Sequence, residues 1–102
     1  MRILVLQGAQ DQPEPPEPLA AAARELGVEL AISCAADEPA ARAAVAQHIG
    51  RVQGVLISRT LCRPPWSLQD ALKTMQVPVV EAVRSNAIAL RSIVEMLRHP
   101  DA

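Results

Sequence analysis

The stretch that decides the fold is Val77-Pro78-Val79-Val80-Glu81-Ala82-Val83-Arg84-Ser85-Asn86, which continues as Ala87-Ile88-Ala89-Leu90-Arg91. Five of the six residues in 77–82 are apolar or proline, and β-branched side chains dominate, which is typical of a strand buried on both faces of a parallel sheet. Ser85 occupies the position of a helix N-cap, because an apolar pattern with helical spacing starts directly after it. The stretch therefore predicts a buried strand that leads straight into a capped helix.

The preceding chain repeats this strand–helix alternation three times. The predicted strands are Arg2–Leu6, Val28–Ala35 and Gly54–Ser58. The predicted helices are Leu19–Leu26, which follows Pro18, Pro39–Ile49, which follows the N-cap candidate Asp37, a third that starts at Pro64-Pro65 after a loop at 59–63, and a last one over 85–99. Short connections between such units imply right-handed crossovers and a parallel sheet covered on both faces. We expect one α/β domain over residues 1–102, with a flavodoxin-like open sheet of four strands in the order 2-1-3-4, four helices and three αβα layers.

In open α/β sheets of this kind, ligands bind at the carboxyl ends of the strands, where the strand order reverses. Here the reversal lies between strands one and three, so Gln7, Ser58 and Ser85 should line the crevice. Ser85 and Asn86, with the first N–H groups of their helix, suit an anion, although a plain N-cap explains them equally simply. Glu81 fits a structural carboxylate paired with an arginine or a helix N-terminus, or else a functional one.

Composition excludes several classes of function. The net charge is −1, which gives no electrostatic reason to bind nucleic acid or an anionic membrane. No apolar run approaches the roughly 20 residues that span a bilayer, and the first residues are too short for a signal sequence. Cys34 and Cys62 do not have the spacing of metal ligands, so we expect reduced cysteines, a cytoplasmic protein, and neither metal nor cofactor.

Several segments, in order and over nearly the whole chain, resemble the type II 3-dehydroquinate dehydratases. The most specific is residues 77–81 followed by Ser85-Asn86, which is similar to the family's Pro-Val/Leu-Ile-Glu-Val-His-Ile/Leu-Ser-Asn. The other similar segments are Gln7-Gly8-Ala9-Gln10 (Asn-Gly-Pro-Asn in the family), Pro16-Glu17-Pro18, Leu26-Gly27-Val28-Glu29 and Leu68-Gln69-Asp70-Ala71-Leu72 (Leu-Arg-Asp-Ala-Leu). The resemblance implies a lyase of the shikimate pathway, which removes water from 3-dehydroquinate.

In that family a lid tyrosine assisted by an arginine removes the proton, an asparagine holds a water on the enolate, and a histidine protonates the departing hydroxyl. This chain has no tyrosine, and the histidine position falls on Val83. We therefore predict no catalytic residue here, since acid and base each contribute typically 10²–10⁴-fold. Ligand contacts are predicted at or beside the positions that match the family's site: Gln7, Ser58, Arg63, Ser85, Asn86 and Arg91. Of these, Arg63 lies at or next to a matched position, and Arg91 comes one residue after Leu90, which matches the family's arginine.

Three hypotheses follow. The first is a truncated, degenerate dehydroquinase-like pseudoenzyme with weak or no dehydration. The second is a module of the same scaffold that binds a small carboxylate or quinate-like acid, or that assembles through an exposed last strand. The third is an enzyme with different chemistry that uses Cys62 or Arg63. It is the weakest, because no residue that could act as a base stands near Cys62 in the sequence. The family forms dodecamers of trimers; because the C-terminal elements differ here, we expect a homo-oligomer, with a dimer as the simplest.

Overall fold

The computed structural model of the chain describes residues 1–8, 16–62, 68–82 and 85–99, apart from the side chains at positions 16, 60 and 62. Strands and α-helices alternate along these residues, and one short 3-10 helix follows the third strand. In chain order the elements are β1 (Arg2–Gly8), α1 (Pro16–Leu26), β2 (Glu29–Ala35), α2 (Glu38–Gln47), β3 (Gly54–Ser58), the 3-10 helix (Arg59–Cys62), α3 (Gln69–Lys73), β4 (Val79–Ala82) and α4 (Asn86–Arg98).

The four strands form one parallel sheet in the order β2-β1-β3-β4. The predicted flavodoxin-like arrangement is therefore confirmed. Strand β1 lies in the centre and pairs along its whole length with β2, and its residues 3–6 pair with residues 54–57 of β3. The central strands are fully buried, because Ile3, Leu4, Leu6 and Val55 each have 0% of their surface exposed.

Alternation along the strands supplies two separate apolar clusters, one on each face of the sheet. Ile3, Val5 and Leu56 pack against α1 and α4, and we call this side the α1/α4 face. The residues between them, among them Leu4 and Ile57, pack against α2 and the chain around α3, on what we call the α2/α3 face. The protein is thus a three-layer αβα sandwich, as the sequence predicts.

Local signals fix the helix ends. Asp37 caps α2 by accepting a hydrogen bond from the Ala40 amide at 2.9 Å, and Ser85 caps α4 by accepting one from the Ile88 amide at 3.1 Å. Gly27, with φ of 71°, turns the chain from α1 into β2 in a left-handed conformation that suits glycine. All three residues act at the positions that the sequence predicts for them.

The prediction that the fourth strand is buried on both faces is wrong. Strand β4 starts at Val79 and lies at the edge of the sheet, with Val79 37% exposed and Glu81 also exposed. An edge strand has a neighbour on one side only, and the five-residue helix α3 is too short to cover its face fully. The apolar run of 77–82 therefore reflects one buried face rather than two.

Other boundaries differ from prediction by a few residues. Helix α1 begins at Pro16, because prolines are tolerated in a first turn whose N–H groups have no helical partner. Helix α2 runs from Glu38 to Gln47, and the expected loop after β3 is the 3-10 helix. Ile88, an expected inward residue, is 56% exposed, whereas Val94 on the same helix is buried at 1%.

Helix α3 spans Gln69–Lys73, and the predicted helix start at Pro64-Pro65 falls in residues 63–67, which lie outside the described residues, as do 9–15 and 83–84. Arg63, Val83 and most of the proline-rich segment that the sequence singles out fall in these parts. None of the helices in the described residues combines the length and the apolar character needed to cross a membrane.

Candidate functional site

Two polar side chains meet at the carboxyl ends of the central strands. Gln7 and Ser58 each come one residue after Leu6 and Ile57, the last pair in register between β1 and β3. Their side chains turn to the α1/α4 face, because they lie two residues beyond Val5 and Leu56, which pack there. Both are half-buried. The structure therefore brings Gln7 and Ser58 together as neighbours on one face of the sheet edge.

Helix α4 begins at the same edge. It follows β4, whose last residue, Ala82, is paired with Ser58. Ser85 is extended (φ −151°, ψ 153°), and its Oγ accepts the Ile88 amide proton while its carbonyl accepts that of Ala89. A hydroxyl that accepts a bond from the helix can at the same time donate its own proton to a ligand. The cap geometry thus places a hydroxyl that can still donate at the start of α4.

Asn86, the first residue of α4, is the buried polar residue of the described chain, with 8% of its surface exposed. No buried side-chain nitrogen or oxygen among the described residues lacks a hydrogen-bond partner, so its amide is already held in place. A buried, hydrogen-bonded amide at the first turn of a helix fixes the position of the backbone around it. Asn86 therefore makes the start of α4 rigid.

The start of α4 differs electrostatically from the starts of the other helices. Glu17, Glu38 and Asp70 lie in the first turns of α1, α2 and α3, whereas α4 has no acidic residue in its first turn. A helix N-terminus carries about half a positive charge, which an adjacent carboxylate offsets. Among the described α-helices, α4 is thus the one whose positive end is not offset by an acidic residue in its first turn.

Arg91 lies elsewhere. Its guanidinium is bound to the Glu25 carboxylate at 2.8 Å, which joins α4 to α1. This contact lowers the pKa of Glu25, mainly through the hydrogen bond and secondly through the positive charge, and raises the pKa of Arg91. Five residues separate Arg91 from Asn86, which is about 7.5 Å along the helix axis. The structure does not bring Arg91 to the group formed by Gln7, Ser58 and Ser85.

Glu81 lies on the opposite face of the sheet. One of its carboxylate oxygens is 3.5 Å from Nε of Arg59, and both side chains are substantially exposed (40% and 52%). Because its neighbour Ile57 in the register belongs to the α2/α3 face, Glu81 points away from the crevice. Its position is that of a carboxylate in a surface ion pair at the sheet edge.

Two features escaped the sequence analysis. The first is Cys34, a free and exposed thiol whose Sγ lies 3.9 Å from Oε1 of Gln7 on the neighbouring strand. The register of β1 and β2 pairs these residues, but no sequence pattern fixes that register in advance. The second is a cavity of about 420 Å³ on the α2/α3 face, between α3 and β4, which depends on how α3 packs.

Arg63 lies outside the described residues, so the structure gives it no place in the site. The described groups that assemble are thus Gln7, Ser58, Ser85 and Asn86, with the N-terminus of α4. In the described part of the chain no three of the His, Cys, Asp and Glu side chains gather in a way that would hold a metal ion. What the arrangement offers chemically is hydrogen-bond donation and a positive helix end, which together suit a carboxylate.

Comparison with known proteins gives a fold and no family. No protein-family model matches the chain, and no curated protein matches it. Among solved structures, it is similar to the crystal structure of a 3-dehydroquinate dehydratase-like protein from Bifidobacterium longum, with a TM-score of 0.68 and 16% sequence identity over 95% of this chain and 98% of that one. At this identity the likeness establishes the fold alone, and that fold agrees with the flavodoxin-like arrangement that the sequence predicts.

Proposed function

We propose that the protein binds a small carboxylate of the quinate type at the carboxyl edge of its sheet, on the α1/α4 face, and that it is a dehydroquinase-like protein with little or no dehydratase activity. The binding group comprises Ser85, Asn86 and the first N–H groups of α4, with Gln7 and Ser58 toward the ligand's hydroxyl groups. Arg63 is a further contact that the sequence resemblance favours.

The observation that carries this proposal is the start of α4. It is the one described α-helix without an acidic residue in its first turn, and it begins beside the polar ends of the central strands. A carboxylate placed there gains both the helix end and hydrogen bonds from Ser85, whereas an equivalent group at α2 would meet Asp37 and Glu38. The charge pattern therefore favours α4 over the other helix starts.

Loss of the proton-transfer chemistry is supported by where the histidines lie. The chain contains two, His48 and His99, and no tyrosine. Both histidines are C-cap residues, of α2 and α4 respectively. Helices that connect parallel strands run back along the sheet, so their C-termini lie at the edge opposite the crevice. Neither imidazole is within hydrogen-bond reach of a ligand bound at Ser85, as general acid catalysis requires.

The binding half of the proposal is tested by isothermal titration calorimetry of the whole chain with quinate, and with the uncharged methyl ester of quinate as the matched ligand. We expect heat of binding from the acid and a much weaker response from the ester, because the ester lacks the charge that the helix end attracts. Equal binding of the two ligands, or of neither, would contradict the proposal.

A matched pair of cap variants assigns the site. Ser85→Asp keeps a good N-cap but places a negative charge at the start of α4, so it should weaken quinate binding at least about tenfold. Asp37→Ser makes the reverse substitution at the N-cap of α2 and should leave quinate binding unchanged. Both variants should melt close to the wild type, because serine and aspartate cap helices about equally well. Unimpaired binding by Ser85→Asp would remove α4 from the site.

The catalytic half is tested separately, by following the ultraviolet absorbance of the conjugated enone that dehydration of 3-dehydroquinate produces. We expect a rate lower by four or more orders of magnitude than that of an active type II dehydroquinase assayed in parallel, because both acid and base are missing. A rate within about a hundredfold of the active enzyme would overturn this half and leave the binding half standing.

A further inference from the structure

The cavity on the α2/α3 face lies directly beside the edge of the sheet. Its apolar floor is formed by Ile57, Leu72, Val77 and Val79, and its polar rim includes Lys73 and Glu81. Helix α3 ends at Lys73, close to where the chain turns back toward β4, whereas Glu81 lies near the other end of that strand. The cavity therefore runs along β4 with a positive group toward one end and a negative group toward the other.

The outer edge of β4 carries backbone groups that no strand among the described residues pairs. The Val55 amide donates to the Pro78 carbonyl at 3.0 Å, which means that Pro78, Val80 and Ala82 turn their backbone groups toward β3. Those of Val79 and Glu81 turn outward, and no described strand lies on that side. Pro78 has no N–H group, but the backbone of Pro78 faces β3, so the outer edge of β4 loses no hydrogen-bond donor.

Val79 and Glu81 thus combine two features. Their backbone groups face the open edge, and their side chains line the cavity beside it. In recognition by strand addition, main-chain hydrogen bonds supply affinity and adjacent pockets for alternate side chains supply specificity. Both parts are present along β4.

We propose that β4 pairs antiparallel with β4 of a second copy of this chain, about a two-fold axis at Val80, so that two four-stranded sheets join into one continuous sheet. In this register Val79 lies opposite Glu81 of the partner subunit, and the outward N–H and C=O groups of both residues pair. The two side chains share the α2/α3 face and meet over the joined cavities. This dimer goes beyond the carboxylate site, which lies on the other face and does not depend on it.

Charge complementarity between Lys73 and Glu81 favours a second copy of this chain as the partner that binds the open edge of β4. The two-fold axis places Glu81 of the partner subunit beside Val79, at the end of the cavity where Lys73 lies. Lys73 is exposed, and no carboxylate of the described residues is within ion-pair distance of it. Glu81 also keeps its own Arg59 at 3.5 Å, so in the dimer each Glu81 carboxylate lies between Arg59 of its own subunit and Lys73 of the other. The symmetry generates two such Lys73–Glu81 contacts per dimer from residues that this chain already carries.

The test is sedimentation velocity and light scattering of the full chain over a range of micromolar concentrations, for the wild type and two variants of Val79. Val79→Glu places a carboxylate opposite Glu81 of the partner subunit twice per dimer, so the dimer dissociation constant should rise at least about tenfold. Val79→Lys has a side chain of similar polarity but opposite charge, and should remain a dimer. Val79 is partly exposed at the edge, so both variants should keep the wild-type melting temperature within a few degrees.

Lys73→Glu provides a second test outside the strand, and it should weaken the dimer in the same direction as Val79→Glu. A wild type that stays monomeric at all concentrations would overturn the proposal, whether or not the edge accepts a foreign peptide. Two Val79 variants that dissociate equally would refute the register, and two that both dimerise as the wild type does would place the interface elsewhere.

Discussion

Gly54 determines how closely α4 packs on the sheet, and replacing it by alanine should destabilise the protein. It is the first residue of β3, on the α1/α4 face, and a Cβ atom there would lie 2.6 Å from Cδ1 of Ile93. Cγ1 of the same side chain would be 3.2 Å away, and Cδ1 of Ile3 3.3 Å. Both isoleucines are fully buried, so neither can move without displacing its neighbours.

The expected magnitude follows from two opposing effects. Inserting a methyl group into a packed core costs typically 1–3 kcal/mol, because side chains or backbone must shift. Alanine also restricts the unfolded chain relative to glycine, which offsets about 0.4–1 kcal/mol. We therefore expect Gly54→Ala to lower the free energy of unfolding by about 1–2 kcal/mol, which corresponds to a melting temperature about 4–16 °C lower for a domain of this size.

A double-mutant cycle with Ile93→Val identifies the contact. Valine lacks the Cδ1 atom that makes the 2.6 Å approach, so alanine at position 54 then meets atoms only at 3.2 Å or more. Ile93→Val alone should cost about 0.5–1.5 kcal/mol. The double variant should be more stable than the sum of the two losses by about 1 kcal/mol, as measured by urea unfolding followed by circular dichroism.

The control for glycine replacement as such is Gly27→Ala. No atom lies within 4 Å of a Cβ at Gly27, so its cost arises from the left-handed backbone and Ile93→Val should not relieve it. If Gly54→Ala and Ile93→Val prove additive within about 0.3 kcal/mol, α4 is not held against β3 through this contact. The placement of Ser85 and Asn86 over the sheet edge would then need another explanation.

Three further outcomes are expected. The pKa of Glu25 is lowered in the folded chain, so at low pH the unfolded chain binds more protons than the folded one. The stabilisation by the ion pair with Arg91 should therefore be present at pH 7 and be lost as the pH falls below about 4. The melting temperatures of the wild type and of Arg91→Gln should differ at pH 7 and converge below about pH 4. Asp37→Ala should cost about 1 kcal/mol in urea unfolding through loss of the α2 cap, and an unchanged midpoint would contradict the cap. Ile88 is exposed, so Ile88→Ser should change the free energy of unfolding by less than about 0.5 kcal/mol. Leu90 is fully buried on the same helix, so Leu90→Ala should lower it by about 2–4 kcal/mol, measured by the same urea unfolding.

Much of the fold could be predicted because its signals are local. Glycine or a capping residue marks the ends of the elements, as Gly27, Asp37 and Ser85 do, and the alternation of strands with helices restricts the sheet to very few orders. The observed bounds of β3 are the same as the predicted ones, because a short β-branched run between a glycine and a polar residue leaves few alternative strand ends.

The burial of β4 and of Ile88 could not be predicted because it depends on which elements lie next to them. Val79 and Val80 have the same side chain, yet Val80 packs against the α1/α4 cluster and Val79 stays exposed beside the short α3. Ile88 has an apolar side chain one turn into α4, but it lies on the helix surface that turns away from the sheet. Sequence periodicity indicates that one face is apolar, and tertiary packing decides how much of it is covered.

For the site, the edge of the sheet was predictable and the detailed contacts were not. Strand ends place Gln7, Ser58 and Ser85 at one edge in any parallel sheet of this order. The pairing of Arg91 with Glu25 depends on the rotation of α4 against α1, which the sequence does not determine. One residue along a helix changes the direction of a side chain by about 100°, so a position next to a matched one carries little information about contacts.

The direction of α4 bears on both halves of the proposed function, which are carboxylate binding and little or no dehydratase activity. Its N-terminus lies at the carboxyl edge and carries Ser85 and Asn86, and its C-terminus carries His99. His99 comes 14 positions after Ser85, which amounts to about 21 Å along the axis, far beyond the roughly 3 Å over which a general acid transfers a proton. An imidazole introduced by Val83→His would need a base opposite it as well, and no tyrosine exists in the chain to provide one. Under the proposed function, dehydration would therefore require two added groups, whereas the proposed carboxylate site uses the helix end that the fold already supplies.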